Sequence, residues 1–154
     1  MTATTELFWN YFEPAVTNID GVRNVKLSDG DRMERFVTAS VSEDLYPAVF
    51  SFRPKYRIVD NGAQQYYCVF ETVFYVFCLS SIGDEDSQDA AFDQAEEMAL
   101  AILNKFRMDH FEGDQVDFEY GSARLEPVTM MTMDSAQGYE VKLKLGIQAN
   151  AIFS

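Results

Sequence analysis

The stretch Gln65-Tyr66-Tyr67-Cys68-Val69-Phe70-Glu71-Thr72-Val73-Phe74-Tyr75-Val76-Phe77-Cys78-Leu79-Ser80 decides how the rest of the chain is read. It is aromatic and β-branched, free of Gly and Pro, and preceded by Asn61-Gly62. It therefore reads as a pleated strand entered from a hairpin turn. It is far longer than the usual strand of about 5–6 residues. Both of its faces are apolar. Tyr66, Cys68, Phe70, Phe74, Val76 and Cys78 point one way; Tyr67, Val69, Val73, Tyr75, Phe77 and Leu79 point the other. A sheet wetted on one side alternates apolar with polar residues, so this strand needs cover on both sides. A helix supplies one cover. The other falls to more of the chain or to another subunit.

Working outward, Tyr46 to Val59 reads as a second long strand and the hairpin partner of the first. Pro47 suits its first position, and Pro54 predicts an edge or a bulge partway along. Asp60-Asn61-Gly62-Ala63 turns the chain between the two. Downstream, Ser81 to Asp86 is an acidic loop, and Ser87 to Met108 is the clearest helix. Phe92, Ala95, Ala99, Ile102, Leu103 and Phe106 form its apolar stripe. Asp86 and Asp89 near its start and Lys105 and Arg107 near its end match the helix dipole.

Tyr139 to Ile147 alternates cleanly, with Tyr139, Val141, Leu143, Leu145 and Ile147 inward and Glu140, Lys142, Lys144 and Gly146 outward. Between helix and strand lie two further candidates, Val116 to Tyr120 and Arg124 to Met133, the latter placed at an edge or bulge by Pro127. Asp109–Asp114 and Asp134–Gly138 read as loops. Ahead of the sheet, Glu6 to Ile19 carries a helical stripe of Leu7, Phe8, Tyr11, Phe12, Ala15, Val16 and Ile19. Thr4 or Thr5 is its predicted cap, and Pro14 predicts a kink or an early end. Val22 to Leu27 reads as a short edge strand and Asp31 to Val41 as a short helix. The tail, Gln148 to Ser154, remains partly apolar. The expectation is one α+β domain over residues 1–154, a mostly antiparallel β-sheet with a long helix on one face, in the order αβ(α)ββαββ.

Composition narrows the function. Apolar residues make up 47% of the chain, which excludes general disorder. No run approaches the ~20 apolar residues of a membrane helix, so no membrane contact is expected. Met1-Thr2-Ala3-Thr4-Thr5-Glu6 lacks the basic and apolar regions of a signal peptide, which predicts a cytoplasmic protein. The formal net charge of −13 argues against a broad nucleic-acid surface, because such surfaces neutralise phosphates with Lys and Arg. Cys68 and Cys78 fall on one strand about 33 Å apart, too far to pair, and read as buried thiols.

No residue pattern points to catalysis. His110, the single histidine, sits at a helix end with no nucleophile beside it in sequence. Asp84, Glu85, Asp86 and Asp89 lack the spacing and central Gly of a calcium loop and read as a solvated helix start. Glu71 is a lone carboxylate in an apolar strand, expected to meet a cation or water. No catalytic, cofactor-binding or metal residues are expected. Trp9, Tyr66, Tyr67 and Tyr75 suit cores and interfaces. The second apolar face of the long strand makes Tyr67, Val69, Val73, Tyr75 and Phe77 the candidate subunit interface.

Several segments together carry a family resemblance. They are the apolar strand Phe70 to Leu79, the acidic loop, the helix with Ala95, Ala99 and Ile102, Leu125-Glu126-Pro127-Val128, and Gly138-Tyr139-Glu140-Val141-Lys142-Leu143. In this order they resemble the tail terminator (tail completion) proteins of long-tailed bacteriophages and prophages, particularly those of Bacteroides-type hosts. The resemblance implies a non-enzymatic protein that forms a homo-oligomeric ring, usually a hexamer, at the head-proximal end of the tail tube. Its implied partners are itself, the tail tube and the head connector, first in the host cytoplasm and then in the virion tail. A ring is also the closed solution for head-to-tail contacts between copies with apolar surface to spare. A small ligand-binding or immunity-type module, with Tyr66, Tyr67 and Tyr75 lining a pocket, is the alternative expectation.

Overall fold

The structure, a computed structural model, describes residues 1–28, 42–130 and 135–153. Helix α1 (Ala3–Thr17) leads into strand β1 (Asn24–Leu27). The short helix α2 (Ser42–Leu45) precedes β2 (Ala48–Ser51), β3 (Lys55–Asp60) and β4 (Tyr66–Leu79). The long helix α3 (Glu85–Glu112) then crosses to β5 (Val116–Phe118), a 3₁₀ turn (Tyr120–Ser122), β6 (Arg124–Met130) and β7 (Ala136–Gln148), and α4 (Asn150–Phe153) ends the chain. The fold is α+β, with one seven-stranded, mostly antiparallel sheet.

Two long strands make the spine. β4 pairs antiparallel with β7 from Tyr67↔Gln148 to Leu79↔Ala136. The outer edge of β4 is shared end to end by β3, from Asp60↔Tyr66 to Lys55↔Glu71, and by β2, from Ser51↔Phe74 to Ala48↔Phe77. The outer edge of β7 is shared in the same way by β5 and β6. β1 adds a parallel pairing, with β2, the only one among the described residues. The segment 46–59 is thus two strands rather than one. Pro54 has no N–H for a ladder bond, and the chain leaves the sheet between Ser51 and Lys55 before it resumes.

Both larger helices pack on the same face of the sheet. Phe8, Phe12, Ala15 and Val16 of α1 are buried, and Phe12 meets Phe74 edge-on at 5.5 Å while Phe8 meets Phe70 at 5.3 Å. α3 buries Ala91, Ala95, Met98, Ala99, Ile102, Leu103 and Phe106. The even residues of β4 from Cys68 to Cys78 and the odd residues of β7 from Val141 to Ile147 are buried beneath these helices, as the alternation predicted. Full burial of each large side chain is worth about 1.5–3 kcal/mol, so this layer dominates stability.

Several boundaries moved for physical reasons. Thr2, not Thr4 or Thr5, caps α1, accepting from the Thr5 N–H at 3.4 Å. Pro14 lies inside α1 without ending it. Pro14 and Asn10 are both exposed, so water can serve the Asn10 carbonyl that has lost its helical donor. α3 starts two residues earlier than its apolar stripe implied, because the Asp84 side chain caps it from outside the stripe, and it runs four residues later, to Glu112. Ala136 to Gly138 is strand rather than loop, and Tyr120 turns into the 3₁₀ segment. The predicted helix over Asp31–Val41 lies outside the described residues.

Candidate interaction surface

The face of the sheet away from α1 and α3 carries the odd residues of β4. The candidate interface residues all fall there, as alternation required, but they are not equivalent. Val69 and Phe77 are buried within the chain, at 7% and 3% exposure. Phe77 belongs to a small satellite core with Leu45, Tyr46, Ala48, Phe50 and Ala136 at one end of the face. Tyr67, Val73 and Tyr75 remain half-buried, and Glu71 and Leu79 are exposed. The second face is therefore sealed at one end and open along its middle.

Hydrogen bonds fix the tyrosines on this face. The Tyr67 hydroxyl donates to the Asp114 carbonyl at 2.8 Å. The Tyr75 hydroxyl donates to Glu140 Oε2 at 2.5 Å, and its ring lies 5.3 Å from Phe52 and stacks on Phe77 at 5.9 Å. Burial and the neighbouring Glu140 carboxylate push the Tyr75 phenol up to about 12. Both tyrosines are thus neutral and positioned, not acid–base groups at neutral pH.

The register gathers cations that are scattered in sequence. Lys55 opposes Glu71, and Glu71 opposes Lys144, so the three form one cross-strand row. Arg57 on β3, Lys142 on β7 and Arg124 on β6 share the face, and Arg53 joins from the β2–β3 link. A cleft of about 430 Å³ opens here, lined by Arg53, Lys55, Lys142 and Lys144 together with Phe52 and Val73, and Glu71 is the one carboxylate among its described lining residues. With Lys26, which the register sets beside Phe50 and Tyr75, seven of the twelve Lys and Arg of the chain stand on or beside one face of a protein that carries 25 acids. Among the described residues the acids of this face include Glu71, Asp117, Glu126 and Glu140 on the strands and Asp114 beside Tyr67. Glu140 is tied up by the Tyr75 hydroxyl and lies 3.4 Å from Lys142.

The opposite side of the molecule has the opposite sign. Asp84, Glu85, Asp86, Asp89, Asp93, Glu96 and Glu97 follow one another along the start of α3 with no Lys or Arg until Lys105. All seven are exposed, as is Leu100 at 48%. The sequence reads Asp84, Glu85, Asp86 and Asp89 as a solvated helix start, and Asp84 does cap the helix through the Ser87 N–H at 3.2 Å; Asp93, Glu96 and Glu97 extend the run beyond that reading.

The other sequence candidates have ordinary surroundings. Cys68 and Cys78 are free and buried; desolvation pushes the Cys78 thiol up to about 12, which leaves it inert. His110 lies in the last turn of α3, where Nδ1 accepts from the Phe118 N–H at 3.3 Å. Glu71 is exposed between two lysines. A second open cleft, of about 750 Å³, runs between Asn18–Gly21 and the flank of α3. Neither cleft is lined by Tyr66, Tyr67 or Tyr75. Among the described residues no helix is long and apolar enough to cross a membrane. No protein-family model matches this chain, and no curated protein matches it.

Proposed function

We propose that this chain is a non-enzymatic structural protein of a phage or prophage tail, capping the tail tube as a ring and joining it to the head connector. The observation that carries the reading is the second face of β4. α1 and α3 both pack on the first face, while Tyr67, Val73 and Tyr75 stay half-exposed on the second. Such a stripe in a small domain is interface material. The two sides of the sheet also differ in chemistry, and contacts between unlike surfaces of identical copies make a ring where the rotation between copies closes. The resemblance of Phe70–Leu79, the α3 stripe and Gly138–Leu143 to tail terminators supplies the place of that ring.

The test is polymerisation of the tail-tube protein of the same genome with and without this chain. Tubes that stop growing, with the chain sedimenting at far below one copy per tube subunit, are expected. Unhindered growth with the chain left in the supernatant contradicts the reading. The 430 Å³ cleft favours a second reading, a small module for an anionic ligand. A melting temperature that rises by several degrees with a small anion, in a protein that ignores tubes, supports that alternative.

A further inference from the structure

We propose that the cationic open face of one copy receives the acidic outward face of α3 from a second copy. The inference rests on the ring reading and names the surfaces that form the ring. Asp86, Asp89, Asp93 and Glu97 recur at three- and four-residue spacing, so they lie in one row on the side of α3 away from its buried Ala91, Ala95 and Ile102. From Asp86 to Glu97 that row rises about 17 Å at ~1.5 Å per residue. The cations it would meet lie across β3, β4, β7 and β6, three strand spacings or about 14 Å. The two arrays match in length and oppose in sign. Exposed Leu100, one turn beyond the row, gives the helix an apolar end to set against Phe52, Val73 and Tyr75.

Charge complementarity selects a second copy over other occupants. Copies of formal charge −13 repel one another at long range. At physiological ionic strength that repulsion is screened beyond about 8 Å, while pairs in contact are screened much less. Association therefore needs a local patch of the minority sign, which is what Arg53, Lys55, Lys142 and Lys144 make. Because donor and acceptor surfaces lie on opposite sides of the sheet, each copy can use both at once, so contacts propagate head to tail.

Sedimentation velocity of the whole chain in 150 mM salt tests this. The wild type is expected to self-associate. Lys55→Glu with Lys144→Glu makes the cleft wall acidic, and Asp89→Lys with Asp93→Lys sets two cations in the middle of the helix row. Each pair alone juxtaposes like charges and is expected to weaken association on the order of 100-fold. The fourfold variant restores the parent net charge and opposes the signs again, so association is expected to return. Mixing the two double variants is expected to give mixed oligomers. Wild-type association untouched by either pair, a fourfold variant that stays monomeric, or a wild type monomeric up to about 1 mM overturns the inference. Tube capping by a protein insensitive to these changes sinks the inference and leaves the ring reading standing. Association with full charge rescue but no tube capping does the reverse.

Discussion

Individual residues show where the packing tolerates nothing. A Cβ built on Gly138 would lie 2.0 Å from the Val76 carbonyl oxygen and 2.8 Å from Phe77 Cδ1. Backbone cannot yield cheaply there, because Val76 and Phe77 are laddered to β7 itself. Gly138→Ala is expected to cost about 3 kcal/mol in urea unfolding, at the upper end of overpacking. Gly121→Ala, where an added Cβ meets nothing within 4 Å, serves as the control and stays near wild type. Gly138 opens a segment of the family resemblance, but in the sequence its backbone role reads only as that of a loop glycine. Ser-Ala-Gln-Gly shows no alternation, and the close approach exists only once β4 and β7 are in register.

Tyr75 gives the residue scale a pH signature. Its phenol titrates near 10.0 when unfolded and is pushed up to about 12 in the fold by burial and by Glu140. The raised group therefore contributes fully below about pH 9, and its contribution is lost as pH rises through 12. Cys78, raised by burial from 9.0 to about 12, adds a loss of the same sign over the same window. Tyr75→Phe keeps the ring contacts and removes one of these titrations. Denaturation curves from pH 8 to 11 are expected to fall less steeply for the variant; parallel curves would contradict the assignment.

At the scale of elements, periodicity was strongest where burial is most one-sided. β4, β7 and α3 were legible because their patterns run unbroken for nine residues or more, and most of the inward residues named for β7 and α3 are buried, though Tyr139 and Phe92 are only half-buried and buried Ala91 and Met98 were not named. Tyr46–Val59 misled because its composition is uniformly strand-like, while the break depends on a single proline. The start of α3 was misjudged because its cap is a polar residue outside the stripe. Asp84→Ala removes that cap and is expected to cost about 1 kcal/mol of stability. Phe74→Ala removes a fully buried ring set edge-on against Phe12 and is expected to cost about 3–5 kcal/mol. Thermal unfolding of the two variants checks the ranking, since the sheet–helix core outweighs any one helix end. Equal losses would mean that α3 holds the fold mainly through its own terminus.

For the whole molecule, the decisive property is the division of charge between the two sides of one sheet. Residue order hides it: Lys55, Glu71 and Lys144 are far apart in sequence and become neighbours only through two strand registers. The acids that open α3 were visible, but their opposite number was not, so the net charge of −13 spoke only against a broad nucleic-acid surface. The doubly apolar strand was read correctly in its alternation. It was read too simply in its exposure, since Val69 and Phe77 are covered by the chain itself and only Tyr67, Val73 and Tyr75 remain for a neighbour.

Electron microscopy of tail tubes mixed with the purified chain addresses the ring directly. A closed ring of copies seated on one tip of each tube is expected, and it is expected to vanish when Lys55→Glu and Lys144→Glu are introduced together. Bare tips beside dispersed single copies of the wild-type chain would contradict it.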